Sequence, residues 1–252
     1  MATDPLTSVV PALPPIAEQV ARLRSLGLEV PGLDELHPRE PLDHGTDGAL
    51  VALAPGSVPV DLLATLLTLG DRTGFVVEDL TDVEKFLPTV GLPAGQAYLV
   101  HGLDRGDDLR DRRPSEALPE LERRGRSPLT LQEGISWLLQ VPAVLADNHC
   151  FMTVGSRRPR PSGYDARTPA IWISRGTGRD GAGRRGAPKV GWCWWNNRHT
   201  WLGFASCTGR GRSAPGPEAR SAPRPAQQGQ QRQQGQQGQQ LTVSGGTVPE
   251  TR

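Results

Sequence analysis

The sequence predicts a single α+β domain, with a mixed helix and strand first part, an antiparallel β-sheet after it, and a low-complexity C-terminal tail. Apolar residues recur at helical spacing in the first half, whereas strand-like runs dominate from His149 to Ser206. The chain of 252 residues leaves roughly 200 for folding once its low-complexity end is set aside, which suits one hydrophobic core. Residues 209–252, rich in Arg, Ser, Pro and Ala and then in Gln and Gly from Gln227 to Gln240, hold too little apolar area to offset ordering entropy. The predicted organisation is therefore a flexible lead-in at 1–14, one domain at 15–208 and a disordered tail at 209–252.

The elements follow in order. Pro5, Pro11, Pro14 and Pro15 each remove a backbone donor and restrict the preceding residue, so order is expected to begin after them. Ile16, Val20, Leu23 and Leu26 lie on one helical face and stop at Gly27, which predicts a helix over 16–26. Ala49–Leu53 reads as a buried strand, Val60–Leu69 as a helix and Gly74–Val77 as a second strand, with Gly70-Asp71 as a break. Gln96–His101 is a further strand running into the carboxylate-rich turn Gly102–Asp108. Asp104, Asp107, Asp108 and Asp111 there do not follow the alternating ligand pattern of a calcium loop, so a solvated turn is expected. Thr130 and Glu133 have capping-box spacing and predict a helix from Leu131; Pro142 kinks it or starts another short helix. Strands are then predicted over His149–Gly155, Ala170–Ser174, Lys189–Trp195 and Thr200–Ser206.

The formal net charge of +1 conceals a division: residues 1–122 carry 21 acidic and 9 basic side chains, residues 123–252 carry 6 and 19. A basic half is one signature of nucleic-acid binding, but the expectation here is that it faces the acidic half of its own fold or lies on solvated loops. Three cysteines, Cys150, Cys193 and Cys207, are too few for a disulfide framework and are expected to be free thiols. No run approaches the roughly 18 apolar residues of a membrane span, and the start lacks a basic region followed by an apolar core, so a cytoplasmic protein without a membrane partner is expected.

Gly176-Thr-Gly-Arg-Asp-Gly181 matches the spacing of a dinucleotide loop directly after a strand. That motif needs a helix N-terminus to meet the phosphates, whereas Gly183, Gly186 and Pro188 lead here into another strand, and a surface loop is expected instead. No cofactor is expected, and no residue is assigned to catalysis or to a metal.

The densest chemistry lies in Val190–Cys207, which holds four of the six tryptophans and two of the three cysteines. Trp needs a large apolar surface and a partner for its indole N–H, so the cluster marks a core or a contact site. Parity along an expected hairpin divides the possibilities. With Asn196-Asn197 as a two-residue turn, Trp192, Trp194, His199 and Trp201 share one face and Cys193 lies on the other. With a three-residue loop, Cys193 and His199 share a side. Asn tolerates the left-handed backbone of the tight turn, which favours the first register. The candidate ligand-binding residues are accordingly Trp192, Trp194, Asn197, His199, Trp201 and Arg157, facing a small molecule or a protein partner. The alternatives are a thiol- or metal-assisted hydrolase around Cys193, His199 and Cys207, and nucleic-acid binding by the basic half.

Pro128–Gly134, Asn148–Phe151, Gly155–Arg157, Pro169–Ser174, Ala187–Trp194, His199–Gly203 and Ala205–Cys207 together resemble an uncharacterised actinobacterial family, a domain of unknown function. The resemblance covers about residues 15–210 and implies a single cytoplasmic domain without a known activity, cofactor or catalytic residue. Trp195–Arg198, the segment Pro159–Tyr164 and the loop Thr177–Arg185 depart from the family pattern.

Overall fold

The computed structural model describes residues 10–36 and 48–211. Residues 1–9, residues 37–47 and the predicted tail from 212 onward, with its Gln-rich run, lie outside the described residues.

Helix α1 (Ile16–Ser25) buries Val20 and Leu23 as their spacing requires, but it also buries Gln19. The reason is backbone satisfaction. Gln19 Oε1 accepts from Val51 N–H at 2.9 Å, while Nε2 donates to the carbonyls of Ala49 at 2.8 Å and Pro14 at 2.7 Å. One side chain thereby occupies the outer edge of strand β1 (Leu50–Leu53), which would otherwise bury unpaired polar groups. The lead-in is not wholly loose, since Val10 and Leu13 pack against the core.

Helix α2 (Val60–Leu66) ends before the predicted Leu69. Thr68-Leu69 instead pairs with Arg72-Thr73 across Gly70, whose φ of +59° suits the reversal. Strands β2 (Phe75–Val76) and β3 (Ala97–His101) fall where predicted. Helix α3 (Pro114–Arg123) escaped the periodicity because Pro119 interrupts the pattern; Pro114 starts it and Glu116 accepts from the Arg113 N–H at 3.0 Å. Helix α4 (Leu131–Gln140) has the predicted capping box: Glu133 N–H donates to Thr130 Oγ1 at 3.3 Å and Thr130 N–H to Glu133 Oε2 at 2.7 Å. Pro142–Val144 forms a short 3-10 turn after it.

Strands β4 (Cys150–Met152), β5 (Arg167–Ile173), β6 (Pro188–Trp194), β7 (Leu202–Phe204) and β8 (Gly209–Gly211) complete the fold. β8 belongs to the segment assigned from sequence to the disordered tail; it is ordered because it pairs antiparallel with β3. Among the described residues a three-stranded sheet has the order β1-β3-β8 and a five-stranded sheet the order β7-β4-β5-β6-β2, beside four short two-stranded pairings. In the larger sheet the three central strands are antiparallel, and both edge strands join in parallel.

Every residue of α4 is buried, because it lies between the sheets. On one side Ser136 Oγ accepts from the Leu53 N–H at 3.0 Å. On the other, a Cβ at Gly134 would meet Thr153 at 2.7 Å and Phe151 at 3.0 Å, so only glycine lets the helix approach this closely. Trp137 packs on Phe151 at 5.7 Å between ring centroids.

Part of the charge division is resolved within the molecule. Arg158 and Arg167 pair with Asp82, Arg179 with Asp79, Arg184 with Glu78, Arg198 with Glu116 and Arg124 with Asp108. In each pair the acid comes from the first half and the base from the second.

Candidate functional site

The predicted Trp hairpin does not form. β6 and β7 belong to one sheet but are separated by β5 and β4, so no ladder joins them. The chain turns at Trp195-Asn196, with the Asn197 N–H donating to the Trp194 carbonyl at 3.1 Å, and then crosses to the far edge of the sheet. Central β5 is the better partner for β6, because seven residues pair in register from Arg167 with Trp194 to Ile173 with Pro188.

This topology separates the predicted ligand residues. Along β6, Gly191 and Cys193 point to one face, Trp192 and Trp194 to the other. A Cβ at Gly191 would run into the six-membered ring of Trp172, so Trp172 lies over Gly191 on the face away from Trp192 and Trp194. Trp172 packs edge-on against Trp201 at 5.8 Å, and His199 against Trp201 at 5.4 Å. Trp192 and Trp194 form their own edge-on pair at 4.6 Å, and the Trp192 indole donates to Asp79 at 3.1 Å. Asn197 is exposed. Arg157 is buried elsewhere, with its guanidinium 3.7 Å from the Trp195 ring centroid, 5.3 Å from that of Tyr164, and donating to the Asp165 carbonyl at 2.7 Å. The six candidates thus fall into separate groups; of them Trp201 lines a cavity, with His199 packed against it.

That cavity is a cleft of about 200 Å³ walled by Trp172, Trp201 and Ile173, floored by the buried Cys150, and rimmed by Asp147 and Arg175. Sequence reasoning placed Trp172 and Cys150 on strands and put neither among the candidate ligand-binding residues. A signal was available in the tryptophan that closes a β-strand just before a Gly-rich loop, but the register that sets it beside Trp201 spans three strands. His199, packed behind Trp201, is kept below the usual imidazole range by burial, and its Nε2 has no hydrogen-bond partner among the described residues.

The rim is held firmly. Ala146 and His149 exchange backbone hydrogen bonds at 3.1 and 2.9 Å, leaving Asp147-Asn148 as a tight turn with Asn148 at φ +61°. Arg105 donates to the Val144 carbonyl at 2.7 Å, pairs with Asp107 and approaches His149 Nδ1 at 3.2 Å; Arg110 reaches the Asn148 carbonyl at 3.1 Å. Burial works against the Asp107 charge, but hydrogen bonds from Arg105 and His149 hold its pKa below the usual carboxylate range. On the other side Ser174 Oγ accepts from Gly176 N–H at 3.1 Å and donates to Asp180 at 2.8 Å. Lys189 also grips Asp180, at 2.8 Å. After Gly181 come a 3-10 turn and β6, so the G-x-G-x-x-G stretch presents no α-helix N-terminus to a phosphate.

The thiols argue against nucleophilic chemistry. Burial pushes Cys150 and Cys207 up to about 11 and Cys193 up to about 12, all three are buried and free, and a thiolate is the reactive form. Among the described residues, no group of three or more His, Cys, Asp or Glu side chains is arranged to hold a metal ion. Native protein at neutral pH is expected to react only slowly with a thiol-specific disulfide reagent, because all three thiols are buried and protonated. Rapid modification of one cysteine in native buffer would contradict this.

A second buried polar cluster shapes the acid response. Asp165 accepts from Arg167 at 2.9 Å and from Arg160 at 2.6 Å. The Arg167 side-chain hydrogen bond foremost, against the opposing effect of burial, keeps its pKa below the usual carboxylate range. A depressed folded-state pKa stabilises the fold fully above the unfolded-state value near 3.9, and that contribution is lost as pH falls through the folded value. Urea midpoints taken from about pH 5 down to about pH 2 should therefore fall more steeply for the parent than for Asp165→Asn. Parallel curves would show that the cluster contributes nothing to the acid limb.

The fold and cleft together define an α+β domain with an aromatic-walled pocket. The chain belongs to a family of unknown function, DUF5701, whose model matches residues 19–213. No curated protein and no solved structure matches it. No helix among the described residues is long and apolar enough to cross a membrane.

Proposed function

We propose that this domain is a non-catalytic binding module that takes a small molecule in the cleft lined by the packed pair Trp172 and Trp201. The carrying observation is the cleft itself, lined by two indole rings packed edge-on at 5.8 Å between centroids, by a buried thiol and by polar groups that stand on hydrogen-bonded turns. Aromatic walls with a few fixed polar groups suit a compact ligand, and an apolar cavity of roughly 150 Å³ is enough for benzene. His199 supports this reading as a neutral backing for Trp201. Trp192, Trp194, Asn197 and Arg157 stand apart from this cleft. The acid and base pairing between the two halves leaves nucleic-acid binding without a favouring observation, and the free thiols fit a reducing, cytoplasmic setting.

The reading is tested by titrating single-ring fragments into ¹⁵N-labelled protein and following the six indole N–H signals. Shifts at Trp172 and Trp201, with Trp137 unmoved and the response lost in Trp201→Ala, are expected. Shifts confined to Trp192 and Trp194, or none, would refute it.

A further inference from the structure

The rim of the cleft carries two opposite charges that are left unpaired among the described residues. Asp147 and Arg175 both line it and both are exposed. Neither side chain makes a hydrogen bond or an ion pair among the described residues, with each other or with anything else. This contrasts with the neighbouring charged groups: Asp107, Asp180 and Lys189 are all engaged by side-chain partners. Both rim charges stand on short segments fixed by hydrogen bonds, the Ala146–His149 turn on one side and the Ser174–Gly176 bend on the other. Gly176 itself is locked by a φ of +66° and by the proximity of Arg185, whose Cβ would lie 2.7 Å from an added methyl. The backbone under each charge is fixed, and the exposed side chains are free to turn toward a ligand.

We propose that the ligand is a compact zwitterion bearing an apolar group, with the charge pattern and size of an amino acid; this rests on the cleft being the binding site. Its carboxylate meets the Arg175 guanidinium, whose planar donor fork suits that group. Its ammonium meets the Asp147 carboxylate, and its apolar group lies against Trp172 and Trp201. A ligand with one charge satisfies one rim group and leaves the other facing water.

Four probes sharing one ring separate the possibilities: phenylalanine, phenethylamine, 3-phenylpropionate and benzyl alcohol, each titrated into the full chain with the Trp172 and Trp201 indole N–H signals as readout. Phenylalanine is expected to bind about tenfold more tightly than either singly charged analogue, and those more tightly than the alcohol. Arg175→Ala should weaken phenylalanine and 3-phenylpropionate about tenfold and leave phenethylamine unchanged, while Asp147→Asn should do the reverse. Both positions are on the exposed rim, so the variants retain the core. Equal affinity for benzyl alcohol and phenylalanine overturns the zwitterion and leaves the cleft reading intact. Failure of all four probes to move the Trp172 and Trp201 signals at millimolar concentration overturns both.

Discussion

Replacing Arg210 with alanine should destabilise the domain by about 3–5 kcal/mol, the usual consequence of breaking a buried ion pair from one side. Arg210 stands on β8 and reaches into the core, where its Nε meets Glu133 Oε1 at 2.5 Å and its Nη2 meets Oε2 at 2.8 Å. The side chains are 6% and 0% exposed, so the carboxylate left behind could not be rescued by solvent. Tyr98 donates to the same carboxylate at 2.9 Å, and its hydroxyl is raised far above the usual phenol range by burial first and by Glu133 next. Nη1 donates to Ser127 Oγ at 2.6 Å and Nη2 also donates to the Pro128 carbonyl at 2.7 Å, tying β8 to the start of α4. Urea denaturation of Arg210→Ala, Glu133→Gln and the double variant measures this. The double variant should cost less than the sum of the singles, because the partners share one interaction. Truncation after Thr208 should match Arg210→Ala or exceed it. A loss below about 1 kcal/mol for Arg210→Ala would mean that β8 is not part of the cooperative unit.

Gly191→Val should remove binding in the Trp172 cleft and cost about 1–3 kcal/mol, the range for overfilling a packed site. The Trp172 ring lies over Gly191 so closely that any Cβ enters it. Valine therefore forces the ring off the sheet and away from Trp201. The Lys189 ammonium, 5.0 Å from the Trp172 ring, loses its aromatic contact as well. The result to look for is a displaced Trp172 indole N–H signal, with the Trp192 and Trp194 signals, on the opposite face, little changed. An unmoved Trp172 signal in a folded variant would contradict the account. The same geometry gives much of the Gly191–Trp194 run a physical meaning: Gly191 seats Trp172, Trp192 bonds Asp79, Cys193 fills the interior and Trp194 packs on Trp192.

The local grammar of the chain carried most of the fold. The α1 stripe, the Thr130–Glu133 box and the strand runs depend on residues within a few positions of one another, and those elements stand where their spacing puts them. Helix α3 was illegible because Pro119 breaks its pattern, and β8 because three residues of Gly-Arg-Gly have no strand propensity of their own. Gln19 and Arg210 illustrate a further limit. Each is a polar residue buried through partners 30 or more positions away, Ala49 and Val51 for the first, Ser127 to Glu133 for the second.

The site was legible in kind and not in place. The sequence by itself determined an α+β domain, free thiols, a capped central helix and a C-terminal stretch whose tryptophans had to find apolar surroundings. Which tryptophans share a face was decided only by tertiary structure. Parity fixes faces within one strand, but β6 and β7 could equally have paired with each other or with strands from elsewhere. The longer register with β5 won, inserting β5 and β4 between them. That choice put Trp172 beside Trp201, sent Trp192 and Trp194 to the other side of the sheet, and made a cleft from three separate stretches of the chain, 146–150, 172–175 and Trp201.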